Sequence, residues 1–183
     1  MADAGFYNDM RSPFIWADVG SVTLSTTDKA LYPKDNFPVL GGNYFGFVGK
    51  HLRIELFGRI TTAATPGNLT WDLYWGTGAD ANGTIIASSA AQALTASQTN
   101  LSWRALFDIH CRTPGASGTL FATGFTLFNE SVVTPHMLIP ASAPAVSAAI
   151  DLTAANILSV QAKRSGSTAE TMQVHEMIVT ALN

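Results

Sequence analysis

Residues Leu101–Phe128 read LSWRALFDIHCR, then TPGASG, then TLFATGFTLF, and these two arms around a turn decide the fold. In the first arm Leu101, Trp103, Ala105, Phe107, Ile109 and Cys111 alternate with Ser102, Arg104, Asp108, His110 and Arg112, and only Leu106 interrupts the polar row. A period of two marks a strand with one buried face. The Pro-Gly-Ala-Ser-Gly segment is turn chemistry, and the second arm is again aromatic and β-favouring. The stretch therefore predicts a long antiparallel hairpin. It holds no catalytic motif.

The same pattern extends along the chain. Val22 and Leu24 alternate with Ser and Thr; Tyr44 to Val48 is aromatic after Gly41-Gly42; Leu52, Ile54 and Leu56 alternate with His51, Arg53 and Glu55. A turn from Ala63 to Asn68 precedes Leu69, Trp71, Leu73 and Trp75, which alternate with Thr70, Asp72 and Tyr74. A Gly-rich loop, Gly76 to Gly83, leads to a short Thr84–Ser88 strand, and Ser88 to Leu94 reads as a helical turn or a loop. Beyond the hairpin, Pro135, Pro140 and Pro144 mark a connection before strands at Val146–Leu152, Ile157–Lys163 and Met172–Leu182. No long segment keeps an apolar period of 3.6. Eight or nine short strands between Gly/Pro turns predict an all-β antiparallel sandwich or barrel over residues 20–183; a jelly-roll β-sandwich fits best and an immunoglobulin-like sandwich is the rival.

Residues 1–19 form an extended N-terminal arm in this reading. Phe6, Tyr7, Phe14, Ile15 and Trp16 show no clean period, so they need cover from the domain body or from another subunit.

Composition narrows the function. Charged residues are 13% of the 183, against about 25% in an average soluble protein. A surface of small neutral residues suits a protein covered by neighbours in an assembly. The net charge of −3 offers no field for nucleic acid or anionic lipid. The N-terminus lacks a signal-peptide pattern and no segment reads as a membrane span. Cys111, the single cysteine, falls in a buried row and reads as a small hydrophobe.

Chemistry-bearing residues are scattered. His51, His110, His136 and His175 show no metal-ligand spacing, although His51 and His110 sit on the polar sides of two strands that sheet pairing can bring together. Asp72 and Asp108 fall on outward rows, where a carboxylate pairs with a cross-strand Arg or, with a second acid across a cleft, cleaves glycosides. Trp71, Tyr74 and Trp75 read two ways. Sharing a row with Leu69 and Leu73 makes the tryptophans core, whereas exposure would make the group a platform for sugars. No catalytic residue, metal site or cofactor is expected.

Three phrases, Gly49–Ile60, Trp103-Arg104 with Arg112–Thr119, and Asp151 through Gln161 to Val174-His175-Glu176, together resemble a group of tailed-bacteriophage virion proteins. The resemblance implies a non-enzymatic jelly-roll subunit on the particle exterior. Its first form is a head decoration (cement) protein that holds the major capsid protein and copies of itself, as a homotrimer, through the arm and sheet edges. Its alternative form is a tail- or fibre-associated module that binds a receptor glycan.

Overall fold

The computed structural model describes residues 14–18, 20–129, 136–143 and 145–183. Thirteen strands carry the described fold: β1 (Phe14–Ala17), β2 (Ser21–Thr23), β3 (Lys29–Ala30), β4 (Val39–Leu40), β5 (His51–Thr61), β6 (Asn68–Gly76), β7 (Thr84–Ser88), β8 (Gln92–Ala93), β9 (Leu101–Thr113), β10 (Thr119–Phe128), β11 (His136–Ile139), β12 (Asn156–Arg164) and β13 (Thr171–Ala181). Seven form one sheet in the order β1-β13-β5-β9-β10-β11, with β2 also on β13; six form the other, β3-β12-β6-β7, with β4 on β12 and β8 on β6. Every pairing is antiparallel. The result is an all-β sandwich of jelly-roll type.

The opening hairpin forms as read: β9 pairs with β10 from Trp103↔Phe128 to Thr113↔Thr119, with a register shift beside the turn. Alternation then places six residues of β9, Leu101 through Cys111, in the core. The facing sheet contributes Leu69, Trp71, Leu73 and Trp75 from β6. Trp71 meets Trp103 across the sandwich at 5.1 Å between ring centroids, near edge-to-face, and Phe128 closes the other side. The sulfur of Cys111 is buried and bonds the Phe45 carbonyl at 3.2 Å.

Two expected strands are absent. Tyr44–Val48 is a run of turns, because Tyr44 and Phe45 pack sideways into the core while Phe47 and Val48 stay exposed. Val146–Leu152 forms no strand and meets the first sheet at the single bridges Phe121↔Val146 and Gly118↔Ile150 and through hydrogen bonds between Ser147 and Leu120. Ser88–Leu94 holds no helical turn but the short strand β8.

The arm divides. Phe14, Ile15 and Trp16 belong to β1, whose backbone pairs with Val179, Ile178 and Met177 of the same chain, so this portion is an edge strand of the domain's own sheet. Phe6 and Tyr7 lie outside the described residues.

Candidate functional site

Burial settles the aromatic group on β6. Trp71 is 0% exposed, and Tyr74 and Trp75 are each 5% exposed. An aromatic ring of this size removes about 150–250 Å² from water on burial, roughly 4–6 kcal/mol. Turning the tryptophans outward as a sugar platform would forfeit that, so they serve the core. Tyr74 points the other way, and its hydroxyl donates to Asp28 Oδ2 at 2.8 Å.

Asp72 faces outward from its sheet as its parity requires, yet it is fully buried, because the segment carrying Asp28 folds over it. Lys163 Nζ donates to Asp72 Oδ2 at 2.6 Å and to Asp28 Oδ2 at 3.2 Å, and the Ser88 hydroxyl also reaches Asp72. Desolvation, and then the neighbouring Asp28 carboxyl, push the Asp72 carboxyl up against the pull of Lys163 and Ser88. The partner is a lysine rather than the expected arginine.

Asp108 sits on the other sheet. Arg53 grips it with two bonds of 2.9 and 3.0 Å, and His51 Nε2 lies 2.8 Å from Oδ1. Burial alone would raise its pKa, but the Arg53 and His51 bonds outweigh that and hold it below the ordinary value. The register His51↔His110 stacks the two imidazoles at 3.8 Å. Desolvation, with the charges of His51 and Arg112, lowers the His110 pKa against the pull of Asp108. Among the described residues no group of three metal-ligating side chains forms. Asp72 and Asp108 lie on opposite sheets, each neutralised by a cation, and so do not flank a common cleft as a glycosidase pair must.

The same outer face carries an apolar row. Leu106 of β9, Phe125 of β10 and Leu138 of β11 are register partners, and Leu138 is 72% exposed. Arg104 lies over the Phe57 ring and bonds Glu55 at 2.6 Å.

A groove of about 520 Å³ lies where the sheets part. Its walls are Ser21, Val22 and Thr23 of β2, Lys29 and Ala30 of β3, the Tyr32-Pro33 turn, and the loop Gly78-Ala79-Asp80 between β6 and β7. That size falls in the range of small-ligand sites, roughly 300–1,000 Å³.

The loop is held in shape. Gly78 and Gly83 take φ of 78° and 119°, which glycine adopts freely. Ala81, at φ 49°, does not have that freedom. Gln161, fully buried on β12, fixes the strained turn by donating to the Ala79 carbonyl at 2.9 Å and accepting from the Ala81 amide at 2.7 Å. Asp80 is thereby aimed at β3, accepting from the Ala30 amide and from Lys29 Nζ, both at 2.8 Å. Burial works to raise the Asp80 pKa, but Lys29 and the Ala30 amide prevail and keep it low. The groove thus presents an ionised carboxylate and an ammonium bonded to each other, beside the hydroxyl-bearing Ser21, Thr23 and Tyr32 and the Pro33 ring. Such a lining suits a neutral ligand that both donates and accepts hydrogen bonds.

Sequence reading took Gly76–Gly83 for a Gly-rich connecting loop and missed Asp80. The available signal was an aspartate centred in a glycine-rich loop between two strands.

No protein-family model matches the chain, and no curated protein does. Among solved structures it is similar to a legume lectin-like domain from Entamoeba histolytica, at 7% identity over 97% of this chain and 93% of that one, with a TM-score of 0.34. It is similar to the metal-free lectin I-B4 of Griffonia simplicifolia at 10% identity over 100% and 96%, TM-score 0.38. A carbohydrate esterase of the Shiga toxin-encoding bacteriophage phi24B matches at 9% identity over 100% and 95%, TM-score 0.34. Likenesses this distant carry no functional argument.

Proposed function

We propose that the chain is a non-enzymatic glycan-recognition module, a β-sandwich of the tail or fibre of a bacteriophage particle. The observation that carries the reading is the Lys29–Asp80 groove with its strained, pre-set loop. Residues in sparsely populated backbone regions persist where the surroundings over-determine them, and they cluster at ligand clamps. Holding the polar groups in place before the ligand arrives removes an ordering penalty from binding. The placement on a phage particle rests on the sequence resemblance alone. A glycan array read with the wild-type chain and with Asp80→Asn tests the binding: signals on particular neutral glycans that vanish in the variant support the proposal, and a blank array refutes it.

A second reading, the head decoration protein, draws on the outer face of the seven-stranded sheet. Leu106, Phe125 and Leu138 form an apolar row beside charges that already cancel in pairs, which is the composition of a protein interface. In that case the major capsid protein and further copies of the chain, as a trimer, are its partners. Leu138→Asp separates the two readings: it abolishes co-sedimentation with head shells in the decoration reading and leaves glycan binding intact in the other.

A further inference from the structure

A second recess adjoins the groove. It is a pocket of about 160 Å³ lined by Ser21, Arg59, Thr61, Asn100, Thr171 and Gln173. Ser21 belongs to both recesses. The register Ser21↔Gln173↔Arg59 sets the two sites across adjacent strands β2, β13 and β5, so Arg59 stands two strand spacings from Ser21, roughly 10 Å.

Arg59 differs from the other arginines of the described fold. Arg53, Arg104 and Arg164 each pair with a carboxylate, and Arg112 lies over the Phe121 ring. Arg59 has no carboxylate partner among the described residues; its Nε and Nη2 both donate to the neutral Gln173 Oε1, at 3.0 and 2.7 Å. Gln173 is itself pinned through Nε2 to Asp18 Oδ1 at 2.5 Å. The guanidinium is therefore oriented without being neutralised, and it retains donors of its five-donor fork for a ligand. The remaining lining is hydroxyl and amide, and the Asp18 carboxylate, bonded to Gln173, is not part of the pocket wall.

We infer that this pocket is a carboxylate subsite and that the ligand is an acidic oligosaccharide, its neutral ring resting against the bonded Lys29–Asp80 pair and its acidic ring reaching Arg59. The inference rests on the glycan-recognition reading and sharpens it. Lys29 and Asp80 cancel each other in the first recess, whereas Arg59 offers a cation without a described carboxylate partner in the second, so the charge pattern sets the acidic end of the ligand at Arg59.

The test titrates the full chain with matched pairs: 3′-sialyllactose against lactose, and glucuronosyl-glucose against cellobiose. The acidic member of at least one pair binds roughly 10–100-fold more tightly, as expected for a hydrogen bond between charged groups. Arg59→Gln removes that preference, bringing the acidic member down to the neutral one, while Asp80→Asn weakens both. Circular dichroism of each variant verifies folding, and Arg59→Lys retains part of the preference. Equal affinities within both pairs, or a preference that survives Arg59→Gln, overturn the carboxylate subsite while leaving glycan recognition standing. Binding of acetate or phosphate at Arg59 as tight as that of the acidic sugars overturns the oligosaccharide assignment. No binding by any of the four sugars overturns both.

Discussion

Gln161→Leu tests the claim that the groove is built in advance. The substitution keeps the bulk on β12 but removes the donor to the Ala79 carbonyl and the acceptor of the Ala81 amide. Each bond contributes about 0.5–1.5 kcal/mol, so the loop loses about 1–3 kcal/mol of the stabilisation that offsets the strain at Ala81. Both freed groups lie at the rim, where water can replace the lost partners, which favours the lower half of that range. Opening the loop moves Asp80 away from Lys29 and Ala30. Ligand affinity then falls in proportion to the closed fraction, by up to roughly 5–30-fold for about 1–2 kcal/mol. Hydrogen exchange of the Gly78–Gly83 amides, read beside a sugar titration, provides the assay. Faster exchange confined to this loop, with weaker binding and little change in global unfolding, is the expected result. Unchanged loop exchange alongside unchanged affinity would show that Gln161 does not set the site, and the preorganisation argument would fall.

Lys163→Met leaves Asp72 and Asp28 buried without their cation, a class of change worth up to about 3–5 kcal/mol; with Lys163 a third exposed, a loss of about 2–3 kcal/mol in urea unfolding is expected. Because the Asp72 pKa is raised in the folded state, protonation favours folding, so the deficit of the variant shrinks as pH falls, and a deficit that grows instead contradicts the pairing. Asp108 has the opposite sign: its lowered folded pKa contributes stability present above the ordinary carboxylate value and lost as pH falls through the folded one. Arg53→Leu should therefore flatten the acid limb of a stability-versus-pH curve, and an unchanged limb counts against it. Gly58→Ala drives a methyl into the Gln173 carbonyl and the Trp103 ring; thermal unfolding should drop by several degrees, at about 2–4 °C per kcal/mol for a chain of this size, and an unchanged midpoint would show that the sheet yields there.

The parts legible in sequence are those where one face meets core and the other meets water. In β9 the alternation from Leu101 to Cys111 specifies strand, register and buried face together. Tyr44–Val48 was misleading because aromatic density imitates a strand without alternation, and its rings serve as plugs between turns. Asp72 shows a different limit: parity gives its outward direction, but its burial under Asp28 comes from a segment 44 positions earlier in the chain. The groove was illegible for the same reason. β2, β3 and the Asp80 loop meet only because β13 and β12 pair with them from the far end of the chain, and no local pattern in Ser21–Thr23 or Lys29–Ala30 records that meeting.

Amide chemical-shift mapping of the isotopically labelled chain during titration with 3′-sialyllactose and with glucuronosyl-glucose tests the central claim most directly. The account predicts saturable shifts centred on Ser21, Lys29, Ala30 and Gly78–Asp80, extending to Arg59 and Gln173. Shifts confined to the Leu106–Phe125–Leu138 face, or none at millimolar sugar, would contradict it.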